Sequence, residues 1–246
     1  LEYRDIALNP LASVPHTNFT YDTSAPVISG TAPATNAIVN NTLVSYTLSE
    51  AIASGTVTWT RTSGPADAGS PHVKALIGAE LNTGAHSNIT LTNNPILVGG
   101  TIYSIAFNAT DPAGNTAAAV TNTNITYDVG TAAPTFTTPA ASGTDNASVA
   151  VNFLLPEAAA SSTVKMTFLR TGGTADPNTH IITFAAPFET AVQHTGSLIG
   201  TNLSSSGNVA SVSSEPNDVL VNGAIYTVTL EYRDIALNPL ASVPHT

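Results

Sequence analysis

Leu97–Phe107 reads LVGGTIYSIAF and Leu220–Leu230 reads LVNGAIYTVTL. Each opens on a Leu and a glycine turn. A Tyr follows three residues after the last turn glycine, and apolar and polar residues then alternate. Alternation with period two is the signature of a strand with one face buried and one wet. The same pattern runs through Thr42–Leu48, Thr56–Arg61 and Val164–Leu169. Turn residues separate these runs, at Ser63-Gly64-Pro65, Asp111-Pro112, Gly172-Gly173, Asp176-Pro177 and Asn222-Gly223. The helix-like stretches, Glu157–Ser162 and Asp111–Val120, are too short and too Thr/Asn-flanked to compete. Wet-faced strands imply mainly antiparallel sheets. About seven strands per unit make a two-sheet sandwich.

The two quoted stretches are one level of a nested repeat. Leu1–Thr17, LEYRDIALNPLASVPHT, recurs letter for letter as Leu230–Thr246, a period of 229 residues. Tyr127-Asp128 follows Tyr21-Asp22 by 106 residues and Tyr226 follows Tyr103 by 123, and the two intervals together make the long period. The long unit is therefore a pair of related, non-identical domains. The expected division is 1–22 as the last strands of a preceding second domain, 23–127 as a first sandwich, and 128–246 as a second, larger one. Expected strands lie near 26–30, 42–48, 56–61, 72–77, 87–92, 101–109 and 117–127, then 134–138, 147–155, 163–170, 180–185, 195–200, 208–213 and 224–232. A final strand begins near 240 and is truncated, which leaves an open edge on the second sandwich. Gly55-Thr-Val57 aligns with Ser162-Thr-Val164, which makes Met166 the counterpart of Trp59.

Composition narrows the function. The net charge is −10 with only six Lys and Arg, so no basic patch exists to neutralise phosphates, and nucleic acid is not an expected partner. There is no Cys, which excludes disulfide staples and thiolate metal sites. No apolar run approaches the roughly 20 residues of a membrane span. A leader is not expected in a chain that opens in mid-repeat. The six His fall at repeat positions with no HxxxH spacing, and there is no GxSxG elbow or phosphate loop. The chain is not expected to be an enzyme, and no catalytic residues are expected. Seven Asn-X-Ser/Thr sequons, at Asn18, Asn40, Asn88, Asn108, Asn124, Asn146 and Asn202, are close to the number that an Asn- and Thr-rich composition produces by chance.

The Gly-turn-then-Tyr pattern at Tyr103 and Tyr226 resembles the tyrosine corner of immunoglobulin-like and fibronectin type III sandwiches. Trp59 resembles their inter-sheet core tryptophan. Asp111-Pro-Ala-Gly-Asn115 follows the Tyr strand, and Asp128 with Ala133-Pro134 opens the next unit, as Asp22 with Ala25-Pro26 opens the first. In this order the motifs resemble the tandem immunoglobulin-like domains of giant bacterial surface proteins. The second unit departs at Asp234-Ile-Ala-Leu237-Asn238, where Leu replaces the turn glycine and puts the turn type in question.

The resemblance implies Ca²⁺ at domain junctions, held by Asp carboxylates. Asp111 with Asp128, and Asp5 with Asp22, are the expected pairs, and Asp234 repeats Asp5. The alternative is that Asp111 and Asp234 cap their own hairpins while Asp22 and Asp128 are solvated linker residues. Glu50 and Glu157 occupy equivalent positions in different units, so they are not a paired acid and base.

The expected function is a structural fibre, stalk or sheath, extracellular or at the cell surface, whose partners are further copies of the same repeat. The alternative is an adhesin array binding glycans or a partner surface. That reading needs exposed aromatics, and Tyr232, whose counterpart is the small Ala109, is the one candidate platform.

Overall fold

The computed structural model describes residues 2–9, 12–214 and 216–245. The chain-end residues Leu1 and Thr246 of the expected units lie outside the described residues. The fold is all-β, with no α-helix among the described residues. A short hairpin comes first, β1 (Glu2–Tyr3) and β2 (Ala12–Ser13). Eight strands follow: β3 (Ile28–Ala32), β4 (Ile38–Val39), β5 (Val44–Leu48), β6 (Ser54–Ser63), β7 (His72–Ala75), β8 (Gly84–Ile89), β9 (Thr101–Thr110) and β10 (Val120–Tyr127). Eight more complete the chain: β11 (Thr135–Thr138), β12 (Ser148–Leu154), β13 (Lys165–Gly173), β14 (His180–Phe184), β15 (Gln193–Ile199), β16 (Val209–Val212), β17 (Ala224–Tyr232) and β18 (Ala241–His245).

Strands β3–β18 build four sheets that form two β-sandwich-like domains. The first faces a β4-β10-β9-β6-β7 sheet with a β3-β5-β8 sheet. The second faces a β16-β14-β13-β17-β18 sheet with a β11-β12-β15 sheet. All pairs are antiparallel except β4 with β10. Strand β4 was not legible as a strand, because two residues carry no period.

Alternation places the cores. Val44, Tyr46 and Leu48 point inward from β5, and Thr101, Tyr103, Ile105, Phe107 and Ala109 from β9. His180, Ile182 and Phe184 do so from β14. Each large apolar side chain so buried contributes about 1.5–3 kcal/mol.

The pairing register corrects one alignment. Trp59 lies opposite Ile105 in the first sandwich, and Phe168 lies opposite Val228, the repeat equivalent of Ile105, in the second. Phe168, not Met166, is therefore the counterpart of Trp59. Ring geometry agrees: Trp59 meets Tyr103 edge-on at 5.9 Å and 85°, and Phe168 meets Tyr226 at 6.0 Å and 85°. The second unit holds two extra residues before this strand. A slip of two leaves every side chain on the same face, so alternation alone does not detect it.

Both tyrosine corners form, with a carboxylate at their centre. The Tyr103 hydroxyl accepts from Val98 N–H (3.0 Å) and donates to Asp67 Oδ2 (2.7 Å), which also contacts His72 Nε2 (2.6 Å). In the second sandwich the Tyr226 hydroxyl accepts from Val221 N–H (2.9 Å) and donates to Asp176 Oδ2, which contacts His180 Nε2 (2.9 Å). The turn beside each corner is tight. A Cβ on Gly64, at φ +82°, would stand 2.7 Å from the Gly100 carbonyl oxygen.

The expected surface aromatic is not at the surface. Tyr232 is fully buried, and its hydroxyl donates to the Ala132 carbonyl (2.6 Å) of the incoming linker. The larger side chain fills interior space at a position where the first sandwich holds Ala109.

Candidate functional site: two carboxylate triads

Asp111 begins the β9–β10 hairpin. Its Oδ1 accepts from Asn115 N–H (2.8 Å) and its Oδ2 from Asn115 Nδ2 (2.8 Å). Asp234 accepts from Asn238 in the same two ways, at 3.1 and 2.8 Å. Asp5 does so from Asn9, at 3.1 and 2.6 Å. The three turns are alike even though two of them hold leucine at the glycine position: Leu237 adopts φ 63°, Leu8 φ 58° and Gly114 φ 93°. Two bonds from one Asn to the Asp carboxylate, one from its backbone N–H and one from its side-chain amide, over-determine the turn and hold leucine in a region that costs about 1–2 kcal/mol. So the capping reading of Asp111 and Asp234 describes real bonds.

Two of these capped carboxylates, Asp111 and Asp234, also meet others. Asp22, Glu50 and Asp111 present oxygens within 4.8 Å of one another, and so do Asp128, Glu157 and Asp234. In each triad the hairpin Asp is buried and the other two are partly buried. The members come from three distant segments: the incoming linker, the turn after the second long strand, and the β9–β10 or β17–β18 hairpin. All three positions repeat between the sandwiches.

This grouping replaces the expected pairs. Asp111 does not meet Asp128, because β9 and β10 are antiparallel and full length. Asp111 sits at the hairpin end, whereas Asp128 leaves from the far end, next to the Thr101–Tyr127 pair. Ten residues of strand, about 30 Å, separate those ends. Asp5 joins neither triad among the described residues. Glu50 and Glu157 are the members that sequence reasoning missed as ligands, although their equivalence was visible.

The second triad lies between the sandwiches. A cavity there is lined by Ile38 and Thr126 of the first sandwich, linker Asp128, and Glu157, Asp234 and Ile235 of the second. Linker groups brace it. Thr131 Oγ1 donates to Asp234 Oδ2 (3.1 Å), Ala132 N–H donates to Glu157, and Asp128 N–H donates to the Val39 carbonyl (2.8 Å). At the first triad Asn115 Nδ2 donates to the Asp22 carbonyl (3.2 Å). Burial pushes the Asp111 carboxyl up, and the Asn115 donors more than offset this, so its pKa lies below the ordinary carboxylate value. It is an anion at neutral pH.

The chemistry of the donor set fits a hard cation. Ca²⁺ takes oxygens from carboxylates, mono- or bidentate, from carbonyls and from water, and three clustered carboxylates supply the charged part of such a set. No Lys or Arg pairs with either triad: among the described residues the ion pairs are His72–Asp67 and His180–Asp176.

No protein-family model matches this chain, and no curated protein is similar to it.

Proposed function

We propose that this chain is a segment of an extracellular structural fibre, stalk or sheath, built from immunoglobulin-like sandwiches joined end to end in a 229-residue, two-domain repeat. The observation that carries the reading is the verbatim recurrence of Leu1–Thr17 at Leu230–Thr246 across two sandwich-like domains. A repeat of that fidelity is the mark of a quasi-one-dimensional architecture. The linkers are short and carry prolines at Pro26 and Pro134, which limits their bending.

The adhesin alternative loses Tyr232 as a platform for glycans, because that ring is buried; the exposed aromatics Tyr3, Phe19 and Tyr21 all lie ahead of the first sandwich. The test is electron microscopy of a polypeptide carrying several repeats. Rods with an axial spacing of about 70–90 Å per repeat are expected. Compact particles would overturn the reading.

In this array Ca²⁺ would be held by Asp22, Glu50 and Asp111 at one junction and by Asp128, Glu157 and Asp234 at the next. It would neutralise three clustered carboxylates and tie the linker to the sandwich that follows. Saturating Ca²⁺ is therefore expected to raise both melting midpoints, by the equivalent of about 2–3 kcal/mol at a hundredfold excess over Kd. Glu157→Gln keeps an acceptor for Ala132 N–H while removing one charge. It should abolish the response of the second sandwich and leave that of the first. Calorimetry with Ca²⁺ and with chelator reads this directly, and identical midpoints in the two conditions would remove the cation from the reading.

A further inference from the structure

The two sandwiches treat one equivalent sheet edge differently. In the first, β7 is the last strand of its five-stranded sheet, and its side away from β6 has no strand partner among the described residues. In the second, the equivalent strand β14 is covered by β16. Register fixes the equivalence: His72 lies opposite Trp59, and His180 lies opposite Phe168. The covering strand belongs to extra sequence. From His194 to Tyr226 is 32 residues against 17 from His86 to Tyr103, and β16 lies in the longer interval.

The edge of β7 is free in hydrogen-bonding terms as well. Leu76 N–H donates to the Gly55 carbonyl (2.9 Å). The antiparallel pattern then turns the backbone groups of Lys74 and His72 toward β6, and those of Val73 and Ala75 away from it. The second sandwich fills the matching outward groups. Ile181, the counterpart of Val73, accepts at its carbonyl from Ser213 N–H (3.0 Å) and donates its N–H to Ser213 Oγ (3.1 Å). Thr183, the counterpart of Ala75, pairs with Ser211. In the first sandwich a side chain takes one of these places: Asn93 Nδ2 donates to the Ala75 carbonyl (3.2 Å).

The side chains differ at one inward position. Strand β7 reads HVKA and β14 reads HIITF. Lys74 lies opposite Val57, and Ile182 lies opposite Met166. Val57, Met166 and Ile182 are all fully buried. Directly opposite residues share a face of the sheet. Lys74 therefore stands on the core-facing side, half-buried, where the covered strand holds a core isoleucine. It is one of only two lysines in the chain, and it joins neither ion pair of the described residues. Its stem lies along the rim of the core while the ammonium reaches water past the free edge. A strand docked on β7 would close that route and bury the charge. Without the lysine, β7 would be an open edge whose Val73 is 58% exposed, the kind of strand that recruits another.

We propose that Lys74 bars edge-to-edge pairing of the first sandwich with another copy of this chain, the task that β16 performs in the second. Asn93 assists by occupying the Ala75 carbonyl. In an array the same edge recurs in every repeat, so an unguarded one would let neighbouring arrays join side to side along their length. The inference goes beyond the array reading and does not depend on it, because it concerns any two copies in solution.

Lys74→Ile places the residue of the covered strand on the open one. Sedimentation velocity over a dilution series is expected to show association at least about a hundredfold tighter in Lys74→Ile than in the wild type. Lys74→Glu keeps a charge at the edge and should sediment as the wild type does. A double variant, Lys74→Ile with Val73→Pro, identifies the route. Val73 N–H points away from β6, so proline spares the sandwich's own bonds and denies a docking strand its donor. This double variant is expected to return to wild-type sedimentation. Trp59 fluorescence and the melting midpoint of the first sandwich show that each variant folds. If Lys74→Ile loses that transition, Lys74→Thr carries the same comparison. Association unchanged on loss of the lysine, association that survives Val73→Pro, or equal association of Lys74→Glu overturns the proposal.

Discussion

Trp59→Ala is expected to destabilise the first sandwich by about 3–5 kcal/mol and to leave the second unchanged, while Phe153→Ala does the reverse. Both side chains are fully buried. Phe153 packs on Phe184 at 5.5 Å, Phe188 at 5.8 Å and His194 at 5.1 Å, so truncating it opens a cavity walled by three rings. Trp59 fills the space between the facing sheets beside Tyr103. The two clusters of buried apolar residues have no member in common. Two transitions are therefore expected in a calorimetric scan, each moved by only one of the substitutions and by more than about 10 °C. Trp59 is the single tryptophan, so its fluorescence reports the first sandwich alone. One transition shifted by both substitutions would show that the cores unfold as a unit.

Tyr226→Phe is expected to cost the second sandwich about 1–3 kcal/mol, more than the removal of an exposed hydroxyl, because it strands its partners. The hydroxyl donates to Asp176 and accepts from Val221 N–H. Asp176 and His180 have fully buried side chains, and His180 Nδ1 meets Ser214 Oγ at 2.7 Å. Burial pushes the Asp176 carboxyl up, while the Tyr226 hydroxyl, the Asn178 N–H and His180 more than offset it, so its folded pKa lies below the unfolded value. A depressed acid contributes stability above its unfolded pKa, about 3.9, and that contribution is lost as pH falls through the folded pKa. Removing the hydroxyl should therefore move the acid-unfolding midpoint of this sandwich to higher pH. The tyrosine has the opposite sign. Burial, then the bond to the Asp176 carboxylate, raises its pKa to about 12. Keeping it protonated opposes folding only once pH rises above its unfolded value, about 10, and stability falls from there toward the folded value. Circular dichroism across both limbs, wild type against Tyr226→Phe, reads the two signs. Unmoved limbs would show that the network carries no net stability.

The alternation in each long strand was sufficient to place nearly every strand, both cores and the two tyrosine corners. Alternation is a local property: the pleat turns successive side chains to opposite faces, so a run of letters already says which of them are inside. The repeat was legible for the same reason, since identity needs no geometry. Partners did not follow from these patterns. Asp67 and Asp176 sit in turns like many other Asp residues, and only the packed corner brings them to the tyrosine hydroxyls. Met166 took the place of Phe168 because a two-residue slip is invisible to period two, and register is settled by pairing across β13 and β17. Leucine at φ 63° was unexpected, because the two Asn238 bonds that hold it are a property of the closed turn. The carboxylates make the point most sharply. Which Asp and Glu meet depends on the direction in which β9 and β10 run and on the end from which each linker departs. Strand direction and sheet order are decided by contacts between residues far apart in the chain, and those exist only once the sandwich has closed.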